Sequence, residues 1–423
     1  MKNLIYDISD KPKTIKEWIL YSLQQVLAVF VATVLIANIC GTPVSACLIG
    51  AGIATIIYQI ITGFKSPMFI SSCGATVSAV IGALAIGDGG NYFAVVIGGA
   101  VILLIYSLFA LFIKLRGIEA LNKILPPIIV GPITMVIGIN LAGFIPTYVQ
   151  VGGAHSDIGI LVAIFTMLVV ALTSHYLKGF WKTIPFLLGL LAGYVLSIIL
   201  TVTGAAQLVD FNIFSNMKVF ELPDFTFKYW NFNISFMEIL QIVLLFAPVA
   251  VVALAEHWSD HKVLSNIIGT DLTKKPGMHR TLLGDGLASL VGTVVCGLPN
   301  TSYGESIATT GFSRVASTRV LTLSAIILGI LSFFYPVQVF IASIPSCVFG
   351  GCAMVLYGYI AASGLKTLIA AHPDLENNKN LIIISVVLTV GVSGIFLFHA
   401  SFAGVSLAMI LGVILNLILK EKK

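Results

Sequence analysis

LQIVLLFAPVAVVALAEHWSDHKVLSN, Leu240–Asn266, runs from a long apolar stretch into two acids, two histidines and a lysine. The apolar part has the length and composition of a membrane-crossing helix, and similar runs of about 18 residues or more recur from Trp18 to Leu419. Hydrophobic residues make up 58% of the 423 and charged residues 10%, more apolar than a soluble core requires. The expected fold is an all-α polytopic membrane protein of about 14 spans. They are read at 17–40, 44–63, 67–86, 92–114, 126–146, 157–176, 183–203, 236–258, 281–298, 299–312, 318–341, 345–365, 380–398 and 401–419.

These spans sort the cations. Of the 23 Lys and Arg, only Lys218 and Lys228 fall on one side; the rest, from Lys2 to Lys423, fall on the other. The positive-inside rule then makes both termini cytosolic and the cell inner membrane the expected location. The polar leader 1–16 has no small-residue cleavage site behind a short apolar core, and 420–423 reads as a cytosolic tail. A net charge of +5 distributed this way marks topology and gives no sign of a nucleic-acid partner.

Several function classes are excluded or disfavoured. The six cysteines contain no C-x-x-C pair and read as small apolar fillers. No nucleotide-binding G-x-x-x-x-G-K-[ST] loop occurs, so transport would draw on an ion gradient. Nucleophile, base and orienting group do not occur together as an enzyme would need. His257 and His261 have the i,i+4 spacing of a metal pair, but H-W-S-D-H lacks the glutamate of H-E-x-x-H, and neither a metal nor another cofactor is expected.

The connection at 204–235, with FELPDFTFKYWNF (Phe220–Phe232), divides two halves of seven spans. Because seven is odd, a duplicated half would be inverted, as in many secondary transporters. GPITMVIG (Gly131–Gly138) resembles GCAMVLYG (Gly351–Gly358), and SPMFISSCGA (Ser66–Ala75) has a counterpart in LPNTSYGESIA (Leu298–Ala308). The second pair lies in spans 3 and 10. Each opens with proline and small polar residues before turning apolar, which predicts a short extended segment leading into a half-helix near mid-membrane. The alternative for each is a packing kink filled by neighbouring helices.

Acids in a membrane are costly and usually face a cavity. Glu256 and Asp260, four apart, share one helix face, with His257 and His261 on the adjacent face and Lys262 turning toward the cytosolic interface. This stripe serves either proton exchange and hydrogen bonding or, since about 20 residues from Met237 already reach Glu256, only decorates the interface. Glu305 follows Gly304 in the broken span and is expected to face a ligand. Asp285 receives no role, and Gln25 either bonds between helices or faces the same cavity.

At these residues the sequence resembles the nucleobase–ascorbate transporter family, also called nucleobase/cation symporter 2, and within it the bacterial uracil permeases. AEHWSDHKVLSNII, DLTKKPGMHRTLLGDGLAS and GLPNTSYGES follow in order the A-E-H-I-G, D-L-L-x-x-P-G-L-H-R and P-N-T-T-Y-G-E-N motifs. The likeness extends to LPP-x-x-x-GP at Leu125–Pro132 and LYGYIAASGLK at Leu356–Lys366.

The resemblance implies a seven-plus-seven inverted repeat. Its core domain would comprise 17–115 and 236–341 (spans 1–4 and 8–11), its gate domain 116–203 and 342–419 (spans 5–7 and 12–14). It also implies homodimers and proton-coupled uracil import by alternating access, with xanthine or another oxo-purine as the alternative substrate. An anion exchanger of the same fold or a non-transporting sensor is the alternative of another class. By position Glu256 and Glu305 match the family's base-binding carboxylates, Tyr303 and Gly304 the second broken span, Ser72 and Cys73 the first, and Tyr357 a gate-side neighbour. Gln25 stands where some relatives have histidine. Asp260, with His261 beside it, stands where histidine is usual, so Asp260, His261 and Glu256 are the expected proton carriers. Trp258 and Ser259 replace an I-G pair, and the signature [QE]-N-x-G-x(4)-T-[RK] reads E-S-I-A-T-T-G-F-S-R at Glu305–Arg314.

Overall fold

A computed structural model describes residues 4–87, 89–117, 126–215, 217–395 and 403–419. The tail at 420–423, Leu125 of the LPP motif, and the parts of the expected spans at 396–398 and 401–402 lie outside the described residues. Among those described, eight helices are long and apolar enough to cross a membrane, and shorter apolar helices accompany them.

In chain order, α1 is Ile15–Cys40, α2 Val44–Ile61, α3 Val77–Leu84, α4 Tyr92–Arg116, α5 Pro127–Ala142, α6 Asp157–Tyr176 and α7 Pro185–Val202. After the connection come α8 Phe236–Ile268, α9 Met278–Cys296, α10 Gly304–Ser313, α11 Thr318–Leu331, α12 Ser346–Ala370, α13 Asn378–Val392 and α14 Ala403–Ile418. Their ends follow local chemistry. Thr14 caps α1 by accepting from the Glu17 N–H, and Ser235 and Glu238 cap each other's backbone at the start of α8. Two expected spans differ: α8 continues ten residues past the expected end at 258, and the span expected at 318–341 is broken, α11 ending at Leu331 and a short helix following at Tyr335–Ala342. Glu256 is therefore followed by twelve further helical residues.

Before α3 and α10 the chain is extended, as the prolines predict. β1 (Ile70–Ser72) and β2 (Asn300–Ser302) pair antiparallel, Ile70 opposite Ser302 and Ser72 opposite Asn300. Pro67 and Pro299 have no N–H to give a helix and hold the residues before them extended. Gly297, with φ +69, turns the end of α9 back toward β2. Side chains satisfy what the pair leaves over. Thr55 Oγ1 accepts from the Ile70 N–H at 3.0 Å and donates to the Ile70 carbonyl at 2.9 Å, and the Cys73 N–H reaches the Pro299 carbonyl at 2.9 Å.

The helices approach closely through small residues, the usual device where lipid tails remove the hydrophobic incentive to pack. α9 packs on α2 and α4, and α11 on α1 and α2; separately, α12 packs on α5 and α6, and α13 on α5 and α14. A Cβ at Gly364 of α12 would stand 2.4 Å from the Gly131 carbonyl oxygen of α5, whereas one at Gly358 would meet nothing within 4 Å. Gly364→Val should therefore lower stability by about 1–3 kcal/mol, and Gly358→Ala should leave it nearly unchanged. Thermal unfolding in detergent, compared with wild type, checks both.

Candidate functional site

Two helices begin in the middle of the bundle. The turn Gly74–Thr76 leading into α3 follows Cys73, and α10 follows Tyr303; neither preceding residue supplies a side-chain cap. The first N–H groups of a helix have no partner within it, so these two starts present donors and the positive ends of helix dipoles. Gly304 opens α10 where an added Cβ would meet no atom within 4 Å.

Both starts face one cavity of about 470 Å³. Its wall includes Ser72, Gly74 and Ala75 from the first broken span, and Thr301, Ser302, Tyr303, Gly304 and Glu305 from the second. α8 contributes Glu256, Trp258, Ser259, Asp260 and Lys262; α5 contributes Val130 and Thr134; α12 contributes Leu356, Ile360, Ser363 and Thr367. Glu256 and Asp260 thus face the same space one turn apart. Asp260 accepts a hydrogen bond from Ser302 Oγ at 2.8 Å, which ties α8 to β2. Ser72 Oγ, fully buried on the wall, has no hydrogen-bond partner among the described residues.

The expected site residues divide into two groups. Glu256, Asp260, Ser72, Tyr303, Gly304 and Glu305 line the cavity together; Cys73 and Tyr357 are buried outside its wall, each next to a lining residue. Gln25 is also outside. Its Nε2 donates to Thr310 Oγ1 at 3.2 Å, joining α1 to α10, so of the two expectations for Gln25 the contact between helices is the one realised. Lys262, expected to turn toward the interface, lies on the cavity wall with its ammonium 4.2 Å from the centre of the Trp258 ring.

His261 points away from the cavity. Its Nδ1 lies 2.8 Å from the His257 carbonyl oxygen and its Nε2 2.8 Å from the Tyr58 hydroxyl and 3.3 Å from Ser66 Oγ. Beside it, His257 Nδ1 is 2.7 Å from Asp285 Oδ2, which also accepts from Thr301 Oγ1 at 2.9 Å. Both histidines and Asp285 are wholly buried. Asp285, for which no role was expected, therefore holds β2 through Thr301 while Asp260, on the cavity wall, holds it through Ser302. The sequence carried one overlooked signal for the opposite wall: Leu356, Ile360, Ser363 and Thr367 recur at spacings of four, three and four, one face of a helix.

A bundle of apolar helices in which two broken spans meet at a polar cavity is the architecture of a secondary transporter. The chain belongs to the permease family, whose family model matches residues 16–400; these are the nucleobase–ascorbate transporters. It is 37% identical to the uracil permease of Bacillus caldolyticus, covering 99% of this chain and 95% of that protein. With the uracil permease of Escherichia coli (strain K12) it shares 33% identity over 98% of this chain and 93% of that protein. Among solved structures, the transmembrane domain of the cyanobacterial bicarbonate transporter BicA superposes with a TM-score of 0.63 at 16% identity, over 97% of this chain and 99% of that one. Murine Slc26a9, an anion transporter in the inward-facing state, gives 0.64 at 11% identity, over 97% of this chain and 69% of that one. The chain shares their fold.

Removing Asp285 would strand the Thr301 hydroxyl and His257 in a dry interior. Asp285→Ala should cost about 1–3 kcal/mol, and Asp285→Asn, which keeps an acceptor for Thr301, should cost less. Unfolding of the purified variants, followed by intrinsic fluorescence, ranks the two.

Proposed function

We propose that this permease imports uracil with protons by alternating access. The observation that carries the reading is the facing of Glu256 and Glu305 into one cavity with two uncapped helix starts. Uracil offers two ring N–H donors and two carbonyl acceptors. Carboxylates accept only, and suit the first; the N–H groups at Gly74 and Gly304, with the free Ser72 hydroxyl, suit the second. The uracil permeases among the relatives support the same substrate. A buried polar site also discriminates strongly, because an analogue lacking one group leaves a protein group unpaired.

In this reading, 17–115 and 236–341 form the core domain, and 116–203 and 342–419 the gate domain, with an inverted repeat relating the halves. The packing of α9 and α11 among core helices, and of α12 and α13 among gate helices, supports that division. In this reading the cavity lies at the seam, the turn before α3, β2, α8 and α10 on one side and α5 and α12 on the other. With both termini in the cytosol of an inner-membrane protein, the cavity runs toward Lys262 and Ala371 on the cytosolic side, an inward-facing arrangement. The functional unit in this reading is a homodimer.

Asp260 and Glu256 are the proton carriers of this proposal. Like charges one turn apart repel, and a proton or a ring N–H relieves that repulsion. His261 is assigned away from coupling, since Tyr58, Ser66 and the His257 carbonyl already occupy its ring nitrogens.

Uptake of labelled uracil by cells lacking their own carrier tests the proposal. Competition by excess xanthine with faster carriage of xanthine itself would reassign the substrate. Glu305→Gln presents a donor toward a ring N–H and should weaken uracil binding at least tenfold while leaving the fold intact, as read by binding to the purified protein. Asp260→Asn should preserve uracil counterflow in proteoliposomes and abolish accumulation driven by an imposed pH gradient. His261→Gln should retain both, and loss of accumulation there alone would move the proton path to the histidine.

A further inference from the structure

A second cavity, of about 660 Å³, lies on the outside of the bundle where α2 ends and α11 begins, away from the transport site. Lys65 and Arg319 stand on its polar rim, and Leu323 and Ile326, one and two turns further along α11, form its apolar wall. Both cations are exposed, and among the described residues neither lies within ion-pair distance of a carboxylate. Trp18 closes the side: its indole N–H donates to the Arg319 carbonyl at 3.1 Å, and Lys11 places a third cation 5.2 Å from its ring centre. Ile326 is 44% exposed, open to whatever surrounds the bundle.

We infer that this groove binds one anionic phospholipid, its phosphate between Lys65 and Arg319 and an acyl chain along Leu323 and Ile326. Unpaired cations above an apolar wall, with a tryptophan at the boundary, match a lipid part by part: charge to headgroup, groove to chain, indole to the interface. A soluble phosphate would leave the apolar wall unused, and a zwitterionic lipid would bring a cation toward Lys65 and Arg319. The inference needs no particular transport substrate and rests only on the membrane setting.

Native mass spectrometry of the purified protein, titrated with phosphatidylglycerol or phosphatidylcholine in detergent, tests it. Phosphatidylglycerol should be retained by wild type, with affinity about thirtyfold lower in Lys65→Gln/Arg319→Gln, the effect expected from two interfacial cations. Phosphatidylcholine should bind more weakly and alike to both proteins. Because both side chains are exposed, the double variant should fold, and its unchanged melting temperature in lipid-free detergent confirms that. A conservative Arg319→Lys variant should keep most of the affinity. Equal retention of the two lipids by wild type, undiminished phosphatidylglycerol binding in the double variant, or displacement of the lipid by millimolar inorganic phosphate would each overturn the assignment.

Discussion

Backbone that leaves helical geometry inside a membrane must find hydrogen bonds elsewhere, because no water is there to supply them. The pairing of β1 with β2 meets that requirement, and the site depends on it. Each strand gives its amides to the other, with Thr55 and the Pro299 carbonyl taking much of the remainder. Once the strands are held, the turn Gly74–Thr76 that leads into α3, and α10 itself, must start in mid-bundle, where Cys73 and Tyr303 give their first N–H groups no side-chain cap. The donors that face the cavity follow from this arrangement of backbone as much as from any side chain.

Two carboxylates then fix β2 from opposite sides. Asp260 of α8 takes the Ser302 hydroxyl on the cavity side, and Asp285 of α9 takes the Thr301 hydroxyl behind it. Successive residues of a strand point to opposite faces, so one strand is anchored both ways by adjacent positions. A rigid strand places Gly304 and Glu305 reproducibly, which a site built from unpaired backbone requires.

The wall opposite the broken spans is built differently. α5 and α12 approach through glycine against backbone, and their cavity face offers Thr134, Ser363 and Thr367 with mostly aliphatic neighbours and no acid. The acids of the wall are thus concentrated on the side of the broken spans and α8. The far end, where Lys262 lies over Trp258, puts the only cation of the described wall at the margin.

Membrane class, the two broken spans and the pairing of Glu256 with Asp260 were determined by the sequence itself, because each rests on short-range rules: apolar length, proline without an N–H, and residues four apart on one helix face. The length of α8 was not, since its last ten residues are polar by composition and are held by packing of Leu264 and Ile268 into the interior. The partners of Gln25, His261 and Asp285 lie 285, 203 and 16 positions away in the chain. No local pattern links such residues; only the packing of α1 on α10 and of α9 behind β2, and the reach of Tyr58 from α2 to α8, bring them together. Tertiary structure decided which titratable groups face the cavity and which are spent holding it in shape.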